Sequence, residues 1–250
     1  MRFQMTDAVK NLLIINVLMF IATIAFGGGE LFYELFSLYF PKNEKFEIWQ
    51  LLTHMFMHGD ITHLFFNMFA LWMFGTAVER QLGTKKFLFV YFSAGLGALA
   101  FQLGFNYYEF ITGFEKLVEA GVSDNTIFNT LNEGMLKNNW QSILGDSLNN
   151  FGESFVIPMV GASGCLMGIL VAFGMMNPNT ELMMLFLPIP IKAKYFIPGI
   201  IALDIFSQLS GQAIFSPNNT AYMAHIGGAF IGFIIMWYWK KNSMDKYRIN

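Results

Sequence analysis

Residues 160–176 read VGASGCLMGILVAFGMM, seventeen positions without a single charge. As a helix this stretch is about 25 Å long at 1.5 Å per residue, against a hydrocarbon core of about 30 Å. Gly164, Gly168 and Ala172 recur every four residues. They therefore share one helix face, and small residues on one face let a second helix come close. The matching stretch is AHIGGAFIG at 224–232, where Gly228 and Gly232 lie on the face of His225. The pattern predicts that the two helices pack through their glycines, with Ser163 and His225 at the same end of the contact.

The composition around these stretches predicts a membrane protein. Of 250 residues, 55% are hydrophobic and 13% charged, against about 25% charged in soluble chains. Six runs are apolar enough for spans: about Val9–Phe26, Thr62–Val78, Phe87–Phe105, Val160–Met176, Ala193–Leu209 and Ala221–Trp239. The expected fold is an all-α, polytopic bundle of six transmembrane helices, a single membrane domain over residues 1–250. Residues from about 106 to 158, acidic and Asn-rich, form an extramembrane insert between spans three and four, in which Ser123 or Asp124 can cap a short helix. The run after Arg2 and Lys10 lacks an A-x-A cleavage pattern after Gly27–Gly29, so it is expected to remain as the first span rather than leave as a signal peptide.

The charges orient the bundle. With six spans, eleven of the fifteen basic residues fall on the side of the termini: Arg2, Lys10, Arg80, Lys85, Lys86, Lys192, Lys194, Lys240, Lys241, Lys246 and Arg248. Lys42, Lys45, Lys116 and Lys137 fall on the other. This positive-inside bias makes both termini cytoplasmic; a multi-pass protein of the plasma (inner) membrane is expected, with an organelle membrane as the alternative. The lipid bilayer is its surroundings, and a net charge of −2 gives no basis for a nucleic-acid partner. The single cysteine, Cys165, allows no internal disulfide and is expected to be a buried packing residue.

Polar side chains inside spans are costly and mark function. His63, Asn67, Ser163 and His225 come from three spans but share one depth, near the outer face. Gly161 and Gly164 flank Ser163 and permit a sharp turn into a helix, whose first N–H groups are free to hold an oxyanion. Taken alone, Ser163 also fits a helix cap. Opposite Ser163, His225 fits a general base, or a structural interhelical contact. His63 and Asn67 are spaced i, i+4, so Asn67 can offer an amide donor on the same face. His54 and His58 have the same spacing, but no acidic or cysteine ligand set completes a metal site, and no cofactor is expected. Asp60 lies at a loop end and Asp204 far along its span. A Ser–His dyad without a carboxylate is the simpler expectation.

These motifs together resemble the rhomboid intramembrane serine proteases. The resemblance rests on H-x3-H-x4-H-x3-N at His54, His58, His63 and Asn67, and on G-x3-E-R at Gly75, Glu79 and Arg80. It rests further on G-x-S-G at Gly161, Ser163 and Gly164, and on A-H-x2-G-x3-G at Ala224, His225, Gly228 and Gly232. It implies Ser163 as nucleophile and His225 as general base. It implies an oxyanion site from His63, Asn67 and the Ser163 N–H, and a structural brace from Glu79 and Arg80. The implied substrates are single-span transmembrane proteins cut near the outer membrane face. The resemblance departs from the family at Met167, where an aromatic residue often follows the serine by four positions, and in its long insert. A catalytically silent relative that binds client spans is the competing reading, and it usually lacks the serine or the histidine.

Overall fold

A computed structural model describes residues 4–26, 29–184, 187–212 and 220–245. Arg2, Gly27, Gly28, Lys246 and Arg248, used above for topology and processing, lie outside the described residues. The chain opens with α1 (Asp7–Ala25), α2 (Glu30–Phe36) and α3 (Gln50–Thr53), which runs into a 3-10 turn at His54–Phe56. Next come α4 (Ile61–Ala70), a π-helical turn at Leu71–Gly75 and α5 (Thr76–Leu82), which form one unbroken 22-residue helix. Then follow α6 (Thr84–Glu119), α7 (Asp124–Asn132), α8 (Gln141–Leu144), α9 (Ser147–Val156) and α10 (Ser163–Met176). A hairpin of β1 (Glu181–Met184) and β2 (Leu187–Lys192) leads to α11 (Ala193–Ser210) and α12 (Tyr222–Asp245).

Among the described residues, four helices are long and apolar enough to cross a membrane: Asp7–Ala25, Ile61–Leu82, Thr84–Glu119 and Tyr222–Asn242. The other two expected spans fall short for separate reasons. Helix α10 has 14 residues, because Gly161 sits at φ +117, a left-handed conformation outside any right-handed helix. Its start therefore slips from Val160 to Ser163. Helix α11 has the length, 18 residues, but carries Lys194, Pro198, Asp204 and Gln208.

Two features differ from a purely helical bundle with a separate insert. Helix α6 does not stop near Phe105 but continues to Glu119, 36 residues in all, or about 54 Å. No proline or capping signal interrupts it there, so the insert begins as an extension of the third span. The strands β1 and β2 pair antiparallel with Glu181 opposite Lys192 and Leu182 opposite Ile191. Alternate prolines in the stretch LPIPIK bar a helix at that point.

Two hydrophobic clusters result. The first holds Val9, Leu12, Met55, Leu71, Val90, Tyr91, Cys165, Ile169 and Ala172, drawn from α1, the His54 turn, the π-turn, α6 and α10. The second holds Phe40, Phe110, Leu117, Ile127, Trp140, Phe151 and Phe155, drawn from the far end of α6, the insert helices and one residue of the α2–α3 loop. Ser123 caps α7 by accepting from Thr126 N–H, as the sequence predicts.

Candidate functional site

The site is assembled on a three-helix contact of α6, α10 and α12. A Cβ on Gly232 would lie 2.6 Å from Gly168 Cα and 2.7 Å from its carbonyl oxygen. A Cβ on Gly228 would run into the Gly164 carbonyl, and one on Gly164 into the Ala98 side chain. Glycine is therefore obligatory along this seam, since any side chain would push the backbones apart. At its end the Cβ position of Gly164 is 3.4 Å from the Ala224 carbonyl. The residue after Ser163 thus meets the residue before His225, and the backbone seam ends at these two side chains.

Ser163 is the first residue of α10 and is half-buried. N–H groups in the first turn of a helix have no intrahelical acceptor and carry the positive end of the helix dipole. The strand-like approach to Ser163 is anchored on both sides. Met159 and Leu38 exchange backbone hydrogen bonds of 2.8 and 3.0 Å, and Gly161 N–H donates to His54 O at 2.9 Å. His54 is itself fixed by a 2.8 Å contact from Nδ1 to Gln50 O.

His63 and Asn67 face this approach from α4. A Cβ on Gly161 would stand 2.8 Å from His63 Cε1 and Nε2, and 3.7 Å from Asn67 Nδ2. Asn67 is buried, and its Nδ2 has no hydrogen-bond partner among the described residues. A buried amide donor left free is a costly arrangement, here held beside Gly161, two residues before Ser163. Asp60 caps α4 by accepting from His63 N–H at 2.8 Å, which sets the turn on which His63 sits. The His58 ring packs edge-on against His63 at 5.0 Å. Burial pulls the His58 pKa down to about 3, with the neighbouring His63 adding to the shift. Burial also lowers His54 to about 4. A cavity of about 10 Å³ lies behind Ser163, bounded by His54, Gly161, Cys165 and Ala224. That is on the order of one water.

His225 is held from the other side. Its Nδ1 lies 3.0 Å from Asp204 Oδ2, with side-chain exposures of 13% and 5%. This contact corrects the expectation of a Ser–His dyad without a carboxylate, in which Asp204 lies too far along its span. Asp204 is six residues before the end of α11 and His225 three residues after the start of α12. The offset is about 4.5 Å of helix rise, which two side chains reach across. The cost of an aspartate in an apolar span, which calls for a partner, was the signal that pointed to Asp204.

The remaining motif residues are structural in their contacts. Glu79 accepts from the N–H groups of Ala8 and Val9 at 3.2 and 3.1 Å, and from Thr84 Oγ1 at 2.7 Å. It thereby caps α1 and ties it to α5 and α6. Arg80 donates to Gln4 O. Met167 and Cys165 are buried in the first cluster, and Cys165 is a free thiol. No group of three or more metal-ligating side chains gathers among the described residues.

The rhomboid domain model matches residues 45–242. The chain is 28% identical over 197 residues to rhomboid protease AarA of Providencia stuartii, covering 75% of this chain and 54% of that one. It is 25% identical over 193 residues to rhomboid protein 1, mitochondrial, of Saccharomyces cerevisiae, covering 77% and 42%. Rhomboid protease GluP of Bacillus subtilis is 51% identical over 55 residues, 22% of this chain and 11% of that one. The chain spans about half the length of the curated relatives it matches over most of its own sequence. Since the family model covers far more than half of its residues, the chain belongs to the rhomboid family.

Proposed function

We propose that this protein is an intramembrane serine endopeptidase that cuts single-span membrane proteins near the outer membrane face. In this reading α10 and α11 join the four longer helices to make six spans, with both termini cytoplasmic. The membrane is a plasma (inner) membrane, and residues 1–250 act as a single membrane domain that takes up no cofactor or metal. The supporting observation is the meeting of Gly164 with Ala224, which brings the helix ends bearing Ser163 and His225 together opposite the free amide of Asn67.

The chemistry follows from these positions. Ser163 Oγ attacks the scissile carbonyl carbon as His225 takes its proton. The oxyanion that forms is held by Asn67 Nδ2, His63 and the Ser163 N–H, donors fixed before the charge develops. Collapse breaks the C–N bond, and the imidazolium returns its proton to the leaving amine. Water, deprotonated by His225, then attacks the acyl-enzyme and frees Ser163. A substrate helix containing glycine or proline near the site unwinds more readily, exposing its backbone carbonyl.

Ser163→Ala is expected to abolish cleavage of a single-span substrate in proteoliposomes and labelling by a fluorophosphonate probe. Cleavage at the wild-type rate by this variant would remove Ser163 from its role and favour a client-binding protein.

A further inference from the structure

The Asp204–His225 contact is not required by the fold. Helices α10 and α12 already pack through glycines, and α11 also packs on both of them. An aspartate 5% exposed in its side chain is a costly way to join two helices in lipid. A small or apolar residue would serve the packing better. The carboxylate does offer something a packing residue cannot. When ionised it only accepts hydrogen bonds, so a contact to Nδ1 selects the tautomer with the proton on Nδ1 and leaves Nε2 bare.

Among the described residues the hydrogen-bond contact to the His225 ring comes from Asp204. The residue four positions after Ser163 is Met167, whose thioether is flexible and only a weak acceptor. The seam beside His225 is lined by Gly227 and Gly228, which have no side chains to hold a ring. Resting on the Ser163–His225 assignment above, we infer that Asp204 is a positioning residue for His225. It holds the Nδ1–H tautomer with Nε2 toward Ser163, and it stabilises the imidazolium that forms when Ser163 loses its proton. The pair therefore works as a Ser–His–Asp series drawn from α10, α12 and α11.

The test uses the full chain in detergent or lipid, with Asp204→Asn, Asp204→Ala and Asp204→Glu. Three readouts are combined: fluorophosphonate labelling rate, kcat and KM on a single-span substrate, and the histidine tautomer by carbon and nitrogen NMR. The chain has only four histidines, and His225→Gln identifies the His225 signal by difference. Asp204→Asn and Asp204→Ala should slow labelling and lower kcat by at least about tenfold, with KM little changed. The Nδ1–H signature should be lost in step, and Asp204→Glu should restore part of both. A smaller loss, or a loss with an unchanged tautomer, overturns the inference and leaves Asp204 a helix-joining residue. If the variants fail to fold, the wild-type spectrum decides: an Nε2–H tautomer at His225 overturns the inference and an Nδ1–H tautomer upholds it. Labelling that persists in Ser163→Ala and His225→Ala would instead break the underlying assignment, whatever Asp204 does.

Discussion

The two packed regions of this protein differ in how their helix backbones meet. Along α6, α10 and α12 the closest contacts are made by Gly97, Gly164, Gly168, Gly227, Gly228 and Gly232. In the insert the close glycines, Gly113 and Gly152, meet side chains of Phe151 and Leu136 rather than another backbone, and aromatic rings fill the core. Phe110 stacks on Phe151 and Phe155 at 5.6 and 5.5 Å, and Trp140 meets Phe151 edge-on at 6.2 Å. In the membrane arrangement proposed above, the difference follows from the solvent each region meets. Lipid tails are as apolar as any side chain, so helices within a bilayer gain from close backbone packing rather than from apolar burial. A water-facing unit gains by removing large rings from water. Phe40 and Met55, on the segment between α2 and α4, belong to the insert cluster and the first cluster respectively. That segment also hydrogen-bonds to the approach to Ser163, so it is the seam between the two.

Four substitutions or conditions would break or sharpen this contrast. The largest effect belongs to Gly228→Val, which drives a side chain into the Gly164 carbonyl. It should destabilise by on the order of 4 kcal/mol or more, with loss of labelling at Ser163 and of a cooperative thermal transition. Wild-type stability would mean that the glycine seam is not a close contact. Phe110→Ala comes next. It should cost about 3–5 kcal/mol but locally, read as faster proteolysis within residues 120–158 while α10 and α12 stay protected. Equal loosening of both regions would show that they do not differ in what holds them.

The seam itself makes a pH prediction. His54 and His58 titrate near 4 and 3 in the fold, against about 6.5 in an unfolded chain. Below pH 6.5 the unfolded state therefore binds more protons, and stability must fall as pH falls. The slope between pH 6 and 4 should reach about 1.4 kcal/mol per pH unit for each histidine. It should vanish above about pH 7.5, and His54→Gln with His58→Gln should flatten it. Unfolding midpoints that stay constant from pH 7 to pH 5 would contradict this. The smallest effect is expected at Gly104, on the same helix as Gly97 but with open space around its Cβ position. Gly104→Ala should be neutral or stabilising by up to about 1 kcal/mol; a marked loss would reveal a contact there that lipid, not protein, supplies.

The sequence by itself determined the features that depend on helical period and on local chemistry. Gly164 and Gly168 face Gly228 and Gly232 because fourfold spacing leaves them no other face to share. Ser163 opens α10 because Gly161 breaks the backbone before it. The cap at Ser123, the limits of α1 and α11 and the start of α12 follow from the same local rules, while α12 runs on to Asp245, past the expected end at Trp239. Only the tertiary structure decided which faces meet between helices whose patterns do not specify a partner. Asp204 and His225 are 21 positions apart in chain order, and nothing in period or hydropathy fixes how α11 turns or slides against α12. The core of the insert was equally hidden. Its phenylalanines are spread over α6, α7 and α9 at spacings that mark no single stripe, and they become one cluster only when the helices fold back on α6. Period assigns a side chain to a face of its own helix; the partner of that face is set by packing, which depends on every helix at once.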